Sequence, residues 1–215
     1  MLKAIFFDND GILVNTEELY FRATREVLAT VGIDLTPDSY RQDHLTASRG
    51  SFHLALERGM TAVQVEALRA QRNAIYGEIL RTEPLAIDGA ERVLRLFSGR
   101  YILGIVTSSN PEYFELEHGR TGFLQFISFC ITPADYAEYK PGPEPYLRAL
   151  YRAGVQPGEA IAVEDSQRGL MSAAAAGIRC IVIPTELTKG SDFSKAFAVL
   201  GSIEELPAFL DNLKA

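Results

Sequence analysis

The sequence predicts a doubly wound, Rossmann-like α/β core with an all-helical block inserted after its first strand. Short apolar runs alternate with amphipathic stretches of helical length through most of the chain, as buried parallel strands and their crossover helices do. The segment from about Thr16 to Pro84 breaks that alternation and shows only helical spacing. The apolar runs end in carboxylates, hydroxyls and a lysine, at the strand ends where open α/β sheets bind ligands.

Taken in order, the predicted strands are Lys3 to Asp8, Tyr101 to Thr107, Phe126 to Thr132, Ala160 to Glu164 and Arg179 to Ile183, with a weaker sixth at Ala196 to Leu200. The helices between and after them are Gly89 to Phe97, Pro111 to His118, Pro143 to Ala153, Gln167 to Ala176 and Ile203 to Leu213. Gly99, Gly154 and Gly177 each follow a helical stretch, where a left-handed cap residue belongs. In the inserted block, Leu19, Ala23, Val27, Leu28 and Val31 repeat at helical spacing, as do Val63, Leu68, Ile75, Ile79 and Leu80. Pro37 and Gly59 divide it into at least three helices. The expected domains are therefore a core of residues 1–14 and 85–215 and a helical cap of residues 15–84.

Composition excludes several functional classes. The 215 residues are 47% hydrophobic and 23% charged, with a formal net charge of −7 and no basic run. Nucleic acid and anionic membranes are thus not expected partners, and an anionic ligand must be held by a few local cations. No stretch reaches the roughly 18 to 20 apolar residues of a membrane span, and Asp8 interrupts the first apolar run at once. A cytoplasmic monomer is the expectation. Cys130 and Cys180 lie in apolar runs without pair spacing and are expected to be buried free thiols. The three histidines are too scattered for a zinc site.

The strand ends carry a set suited to phosphoryl transfer. The first ends Phe7-Asp8-Asn9-Asp10-Gly11, and two carboxylates on a tight loop released by glycine can approach one reacting centre. The second ends Thr107-Ser108-Ser109-Asn110, hydroxyls and amides suited to a phosphate. Lys140 follows the third strand in Tyr139-Lys140-Pro141-Gly142-Pro143. The fourth ends Glu164-Asp165-Ser166, an acidic pair suited to a hard cation. Singly, each has an ordinary structural reading: a turn, a helix cap, a solvated lysine, an acidic helix start. Together and in this order they point to one site.

The sequence resembles the haloacid dehalogenase superfamily, in the branch with a helical cap after the first motif that includes beta-phosphoglucomutase and many sugar-phosphate phosphatases. The four motifs are Phe7-Asp8-Asn9-Asp10-Gly11, Val106-Thr107-Ser108, Lys140-Pro141 and Val163-Glu164-Asp165-Ser166. The resemblance implies a phosphatase with Asp8 as nucleophile and Asp10 as general acid/base. It further implies that Thr107 and the Ser108 backbone hold the phosphoryl oxygens, with Lys140 neutralising them. Mg²⁺ would be bound by the Asp8 carboxylate, the Asp10 carbonyl and Asp165, with Glu164 in or near its shell. Ile12 replaces a common threonine and Asn15 a common aspartate, which touches loop and hinge details only.

Within that superfamily Asp10 separates phosphate chemistry from dehalogenation, because a halide leaves without a proton. No lysine occurs between Ala4 and Tyr139, so a cap Schiff base of the phosphonoacetaldehyde hydrolase type is excluded. A beta-phosphoglucomutase shares every core motif, but Leu19 and Tyr20 stand where that enzyme carries a histidine. A mutase is the first alternative and a catalytically silent binding protein the second. The expected partner is a small phosphorylated metabolite such as a sugar or polyol phosphate. Ser108 and Asn110 are candidate substrate contacts in the core, and Arg49 and Tyr20 in the cap. Arg22, Arg25, Arg41, His44 and His53 are further cap candidates, better read as solvated helix faces. Arg49 stands out because Leu45-Thr46-Ala47-Ser48-Arg49 resembles a family loop that reaches over the substrate.

Overall fold

The computed structural model describes residues 1–46 and 49–213. They form two compact units, Met1–Asn15 with Leu85–Ala215, and Thr16–Pro84.

The first unit is built on six parallel strands, β1 (Ala4–Phe7), β2 (Ile102–Val106), β3 (Phe129–Ile131), β4 (Ala160–Glu164), β5 (Arg179–Val182) and β6 (Ala198–Val199), in the order β3-β2-β1-β4-β5-β6. Every residue of β1 and β4 is buried, which is why both read as unbroken apolar runs rather than alternating ones. The chain grows from β1 through β2 to β3, then crosses to place β4 on the other side of β1. That reversal is the switch point where such sheets open a crevice. Phe7 stands level with Ile105 of β2 and Val163 of β4, so the residues following these three strands emerge side by side.

Helices α5 (Ala90–Phe97), α6 (Pro111–Thr121), α7 (Glu144–Ala153), α8 (Gln167–Ala175) and α9 (Leu206–Asn212) complete this unit. One face of the sheet packs Phe6, Phe129, Val182 and Ile131 against Tyr146, Leu150 and Leu170. Each fully buried large side chain of this kind contributes about 1.5–3 kcal/mol. Gly99, Gly154 and Gly177 adopt positive φ of 81°, 66° and 77°, as their places after helices predicted. The run from Phe126 is shorter as a strand than its apolarity suggested. Phe123–Phe126 is a 3-10 turn, and β3 begins only at Phe129, because an apolar run alone does not distinguish turn from strand. Ile203–Glu205 is likewise a 3-10 turn ahead of α9. Both cysteines are free, but Cys130 is only partly buried. It alternates outward on β3, which lies at the sheet edge.

The second unit contains α1 (Thr16–Ala29), α2 (Pro37–Tyr40), a π-helical turn over Arg41–Thr46, α3 (His53–Glu57) and α4 (Ala62–Thr82), and no strand among the described residues. Pro37 opens α2 behind the Thr36 N-cap rather than merely breaking a helix. On α4 the buried face is Val65, Leu68, Arg72, Tyr76, Gly77 and Leu80. Val63 is exposed instead, one residue off the stripe its apolarity suggested. No helix of the described residues is long and apolar enough to cross a membrane.

Candidate active site

The first loop is organised by its own backbone. Asp8 N–H donates to the Val163 carbonyl of β4 at 2.9 Å. The Asn9 carbonyl then collects the N–H groups of Leu13 at 2.9 Å, Val14 at 3.2 Å and Ile12 at 3.3 Å. Gly11 turns the loop with φ of 79°, and a Cβ there would come within 2.6 Å of an Asp165 carboxylate oxygen. The glycine is needed both for its backbone conformation and for this approach of the first loop to the fourth.

Lys140 is buried beside β1 and β4. Its Nζ donates to Asp8 Oδ1 at 3.0 Å, Glu164 Oε1 at 2.7 Å and the Val106 carbonyl at 2.8 Å, so all three ammonium protons are used. The residue is 5% exposed, which rules out a solvated surface charge. Burial opposes the charge on Lys140, but Asp8 and Glu164 outweigh it and raise its pKa above the ordinary value. Burial, aided by the Asp8 charge, pushes Glu164 up to about 7. Tyr146 donates its hydroxyl to the same Glu164 Oε1 at 2.5 Å.

Carboxylate oxygens of Asp8, Glu164 and Asp165 lie within 4.8 Å of one another. An all-oxygen anionic set at that spacing fits a hard divalent cation. Glu164 also holds Lys140, and its Oε2 is buried with no hydrogen-bond partner.

Asp10 faces the second loop. Its Oδ2 accepts from the Ser109 hydroxyl and, at 3.5 Å, from Thr107 Oγ1. Thr107 Oγ1 in turn accepts from Ser109 N–H at 2.9 Å. Ser108 is half-buried, and Tyr136 donates to the Thr107 carbonyl at 2.8 Å and reaches Ser108 Oγ at 3.5 Å. Asn110 is exposed, and its Oδ1 caps α6 by accepting from Glu112 N–H at 2.9 Å. The structure thus brings Asp8, Asp10, Thr107, Lys140, Glu164 and Asp165 to neighbouring strand ends of one sheet.

Ser109, Tyr136 and Tyr146 were not singled out from sequence. Ser109 sat inside a recognised hydroxyl-rich run, but the tyrosines reach the site from loop and helix positions that no local pattern marks.

In the helical unit, Arg49 pairs with Asp43 through Nη2 and Oδ1, while Ala47 and Ser48 of its loop lie outside the described residues. Tyr20 stacks on His44, meets Tyr76 edge-on and carries the Arg72 guanidinium 4.1 Å over its ring. Arg22 pairs with Glu83 just past the end of α4, and the partly exposed Arg41 pairs with Asp38.

Glu164 also explains Gly169 in α8. A Cβ there would lie 1.9 Å from Glu164 Oε2 and 2.0 Å from its Cδ. Gly169→Ala is expected to cost about 1–3 kcal/mol and to lower activity by displacing the carboxylate that holds Lys140. Gly119→Ala, in α6 with open space around it, should gain about 0.5–1 kcal/mol. Urea unfolding of the two variants checks the pair, and equal effects would contradict the packing argument.

A buried lysine between two carboxylates, a three-carboxylate cluster and a hydroxyl-held fourth carboxylate at adjoining strand ends define a phosphoryl-transfer hydrolase on a doubly wound fold. The family model for haloacid dehalogenase-like hydrolases matches residues 5–183, and the chain belongs to that family. Protein CbbY of Cereibacter sphaeroides is 34% identical over 96% of this chain and 94% of its own. A phosphorylated carbohydrates phosphatase of Thermotoga maritima is 28% identical over 92% and 93%. Among solved structures, a mutant of Rhodobacter sphaeroides CbbY in complex with xylulose-(1,5)bisphosphate superposes with a TM-score of 0.79 at 26% identity, covering 96% of each chain.

Proposed function

We propose that this chain is a Mg²⁺-dependent phosphatase acting on a small sugar or polyol phosphate through an aspartyl-phosphate on Asp8. The observation that carries this reading is the placement of Asp8, with one carboxylate oxygen on Lys140 and the residue inside the three-carboxylate cluster. The relatives described as a phosphorylated carbohydrates phosphatase and as bound to a sugar bisphosphate support the substrate class.

In the proposed reaction a free Asp8 oxygen attacks phosphorus, and Asp10 gives its proton to the departing alkoxide. Asp10 then takes a proton from the water that attacks the aspartyl-phosphate, returning both carboxylates to their starting state. The Ser109 hydroxyl orients Asp10 for both steps, while the Thr107 hydroxyl, 3.5 Å from Asp10 before substrate binds, turns its single proton to the phosphate. Thr107 and the Ser108 backbone hold phosphoryl oxygens, and Lys140 supplies fixed positive charge beside the attacking carboxylate. Mg²⁺, held by Asp8, Asp165 and the Asp10 carbonyl with Glu164 in or beside the shell, would offset the repulsion between an anionic nucleophile and an anionic phosphate. From the helical unit, Arg49 and Tyr20 are proposed to select the leaving group.

The test is phosphate release across a panel of sugar, polyol and nucleoside phosphates. EDTA should abolish it, with Mg²⁺ restoring activity and Ca²⁺ not, because Ca²⁺ takes more ligands at longer distances. Comparable rates with Ca²⁺ would refute the metal assignment. Isomerised product together with a bisphosphate requirement, seen by phosphorus NMR, would replace the phosphatase with a mutase. Asp10→Asn should lose about 10² to 10⁴ in rate on alkyl phosphates and much less in the first step on an aryl phosphate, whose leaving group needs no proton. Equal losses in single-turnover assays would remove Asp10 from the acid role.

A further inference from the structure

Between the two catalytic aspartates stands Asn9, a fully buried amide that the proposed chemistry does not use. Its Nδ2 donates to Glu117 Oε2 at 2.8 Å, and its Oδ1 lies 2.8 Å from His118 Nε2. A carboxylate only accepts, so Nδ2 must face Glu117, and Oδ1 is left to receive a proton from the imidazole. His118 therefore carries a proton on Nε2, and in the neutral ring Nδ1 accepts from Thr121 Oγ1 at 3.4 Å. Its environment agrees: burial pushes the ring's pKa down to about 4, and the ring packs against Phe114 and Phe123 at centroid distances of 4.4 and 6.3 Å.

Both partners of Asn9 are on α6, and the loop leading into α6 carries Ser109, whose hydroxyl holds Asp10. The segment 107–118 therefore grips the first loop twice, at the Asn9 side chain and at the Asp10 carboxylate. Asn9 also anchors the rest of that loop, since its carbonyl receives three consecutive N–H groups. A buried network of this kind has a discrete geometry, because each unmade bond costs about 1–3 kcal/mol.

We propose that Asn9, Glu117 and His118 form a positioning network that locks the nucleophile loop to α6, so that Asp8 and Asp10 keep their mutual placement with the phosphate-holding hydroxyls. This rests on the phosphatase reading for its catalytic consequence. None of the three touches substrate; they act through the backbone between Asp8 and Asp10. Misplacing a reacting group by about 1 Å costs on the order of 10²-fold, and proton transfer to a poor leaving group is more demanding of alignment than departure of a good one.

The test compares wild type with His118→Phe, which keeps the ring packing and removes the donor, and His118→Gln, whose amide can restore an N–H toward Asn9. His118→Phe should lower kcat on an alkyl phosphate by about 10²-fold and on an aryl phosphate by about tenfold or less, with KM little changed. His118→Gln should recover most of the loss. Amide exchange at Leu13 and Val14 should accelerate in His118→Phe. Equal losses on both substrates, or unchanged exchange, overturn the proposal. Nitrogen-15 NMR of the wild-type imidazole decides it even where a variant does not fold: a ring protonated at Nε2 at pH 6 to 8 supports the network, and a ring protonated at Nδ1 alone overturns it. Absence of phosphate release by the wild type would overturn the phosphatase reading alone, since the tautomer and exchange measurements do not depend on turnover.

Discussion

Asp8→Asn is expected to stop turnover, by about 10³-fold or more, in a protein that folds as well as the parent. The amide offers no nucleophilic carboxylate oxygen, so no aspartyl-phosphate forms. Its carbonyl oxygen can still accept from Lys140 Nζ, which lies 3.0 Å from Asp8 Oδ1, and the side-chain volume is almost unchanged. Removing this charge also relieves Glu164, whose high pKa owes its second contribution, after burial, to Asp8. Phosphate release measured alongside thermal unfolding checks both halves. Activity within tenfold of wild type would end the covalent mechanism.

Lys140→Met should damage stability as well as activity. The ammonium is the cation joining two buried or nearly buried carboxylates, with Glu164 fully buried and Asp8 9% exposed. Removing one member of such a set typically costs about 3–5 kcal/mol. The loss should depend on pH in a set direction. Glu164 titrates at about 7 in the folded chain, above its unfolded value, so the stability carried by its protonated form is present at low pH and fades as pH rises through about 7. Without Lys140, which lowers that value, Glu164 should hold its proton to higher pH. The deficit relative to wild type should therefore be smaller at pH 6 than at pH 8. Urea denaturation at the two pH values measures it, and a larger deficit at pH 6 would contradict this account.

The core architecture was legible because its strands are buried on both faces. Ala4–Phe7 and Ala160–Glu164 have no solvent side to dilute the apolar signal. Strand ends were less clear where burial is partial, as at Phe126 to Ser128, where Phe126 ends a 3-10 turn and β3 begins only at Phe129. The site's charged residues were legible from type and order. Their supporting partners were not: Glu117 and His118 lie 108 and 109 residues from Asn9, and Tyr146 lies on a helix whose apolar face hides its hydroxyl among core residues. No period or motif links positions that meet only after the sheet forms. Arg72 carried no signal for the opposite reason. A charge on α4 reads as solvent-facing, yet this one is buried against Tyr20 and Phe52, with bonds to Asn73 and Thr24.

The chain leaves the core at Asn15 and re-enters at Leu85, and these two passages are stitched together. Asn15 N–H donates to the Leu85 carbonyl at 2.8 Å, Ile87 N–H donates to the Leu13 carbonyl at 3.0 Å, and Val14 bridges Ala86. To the sheet, residues 16–84 are a loop already closed at its base. Doubling the length of a flexible loop costs only about 0.6 kcal/mol, and an insert with its own hydrophobic interior brings its own stability. Descendants of such a gene can therefore lengthen, trim or exchange the helical insert without shifting the register of β1 against β2. If the insert selects the leaving group as proposed, chemistry and choice of substrate can then mutate on separate schedules, with the carboxylates at the strand ends passed on intact through each change of insert.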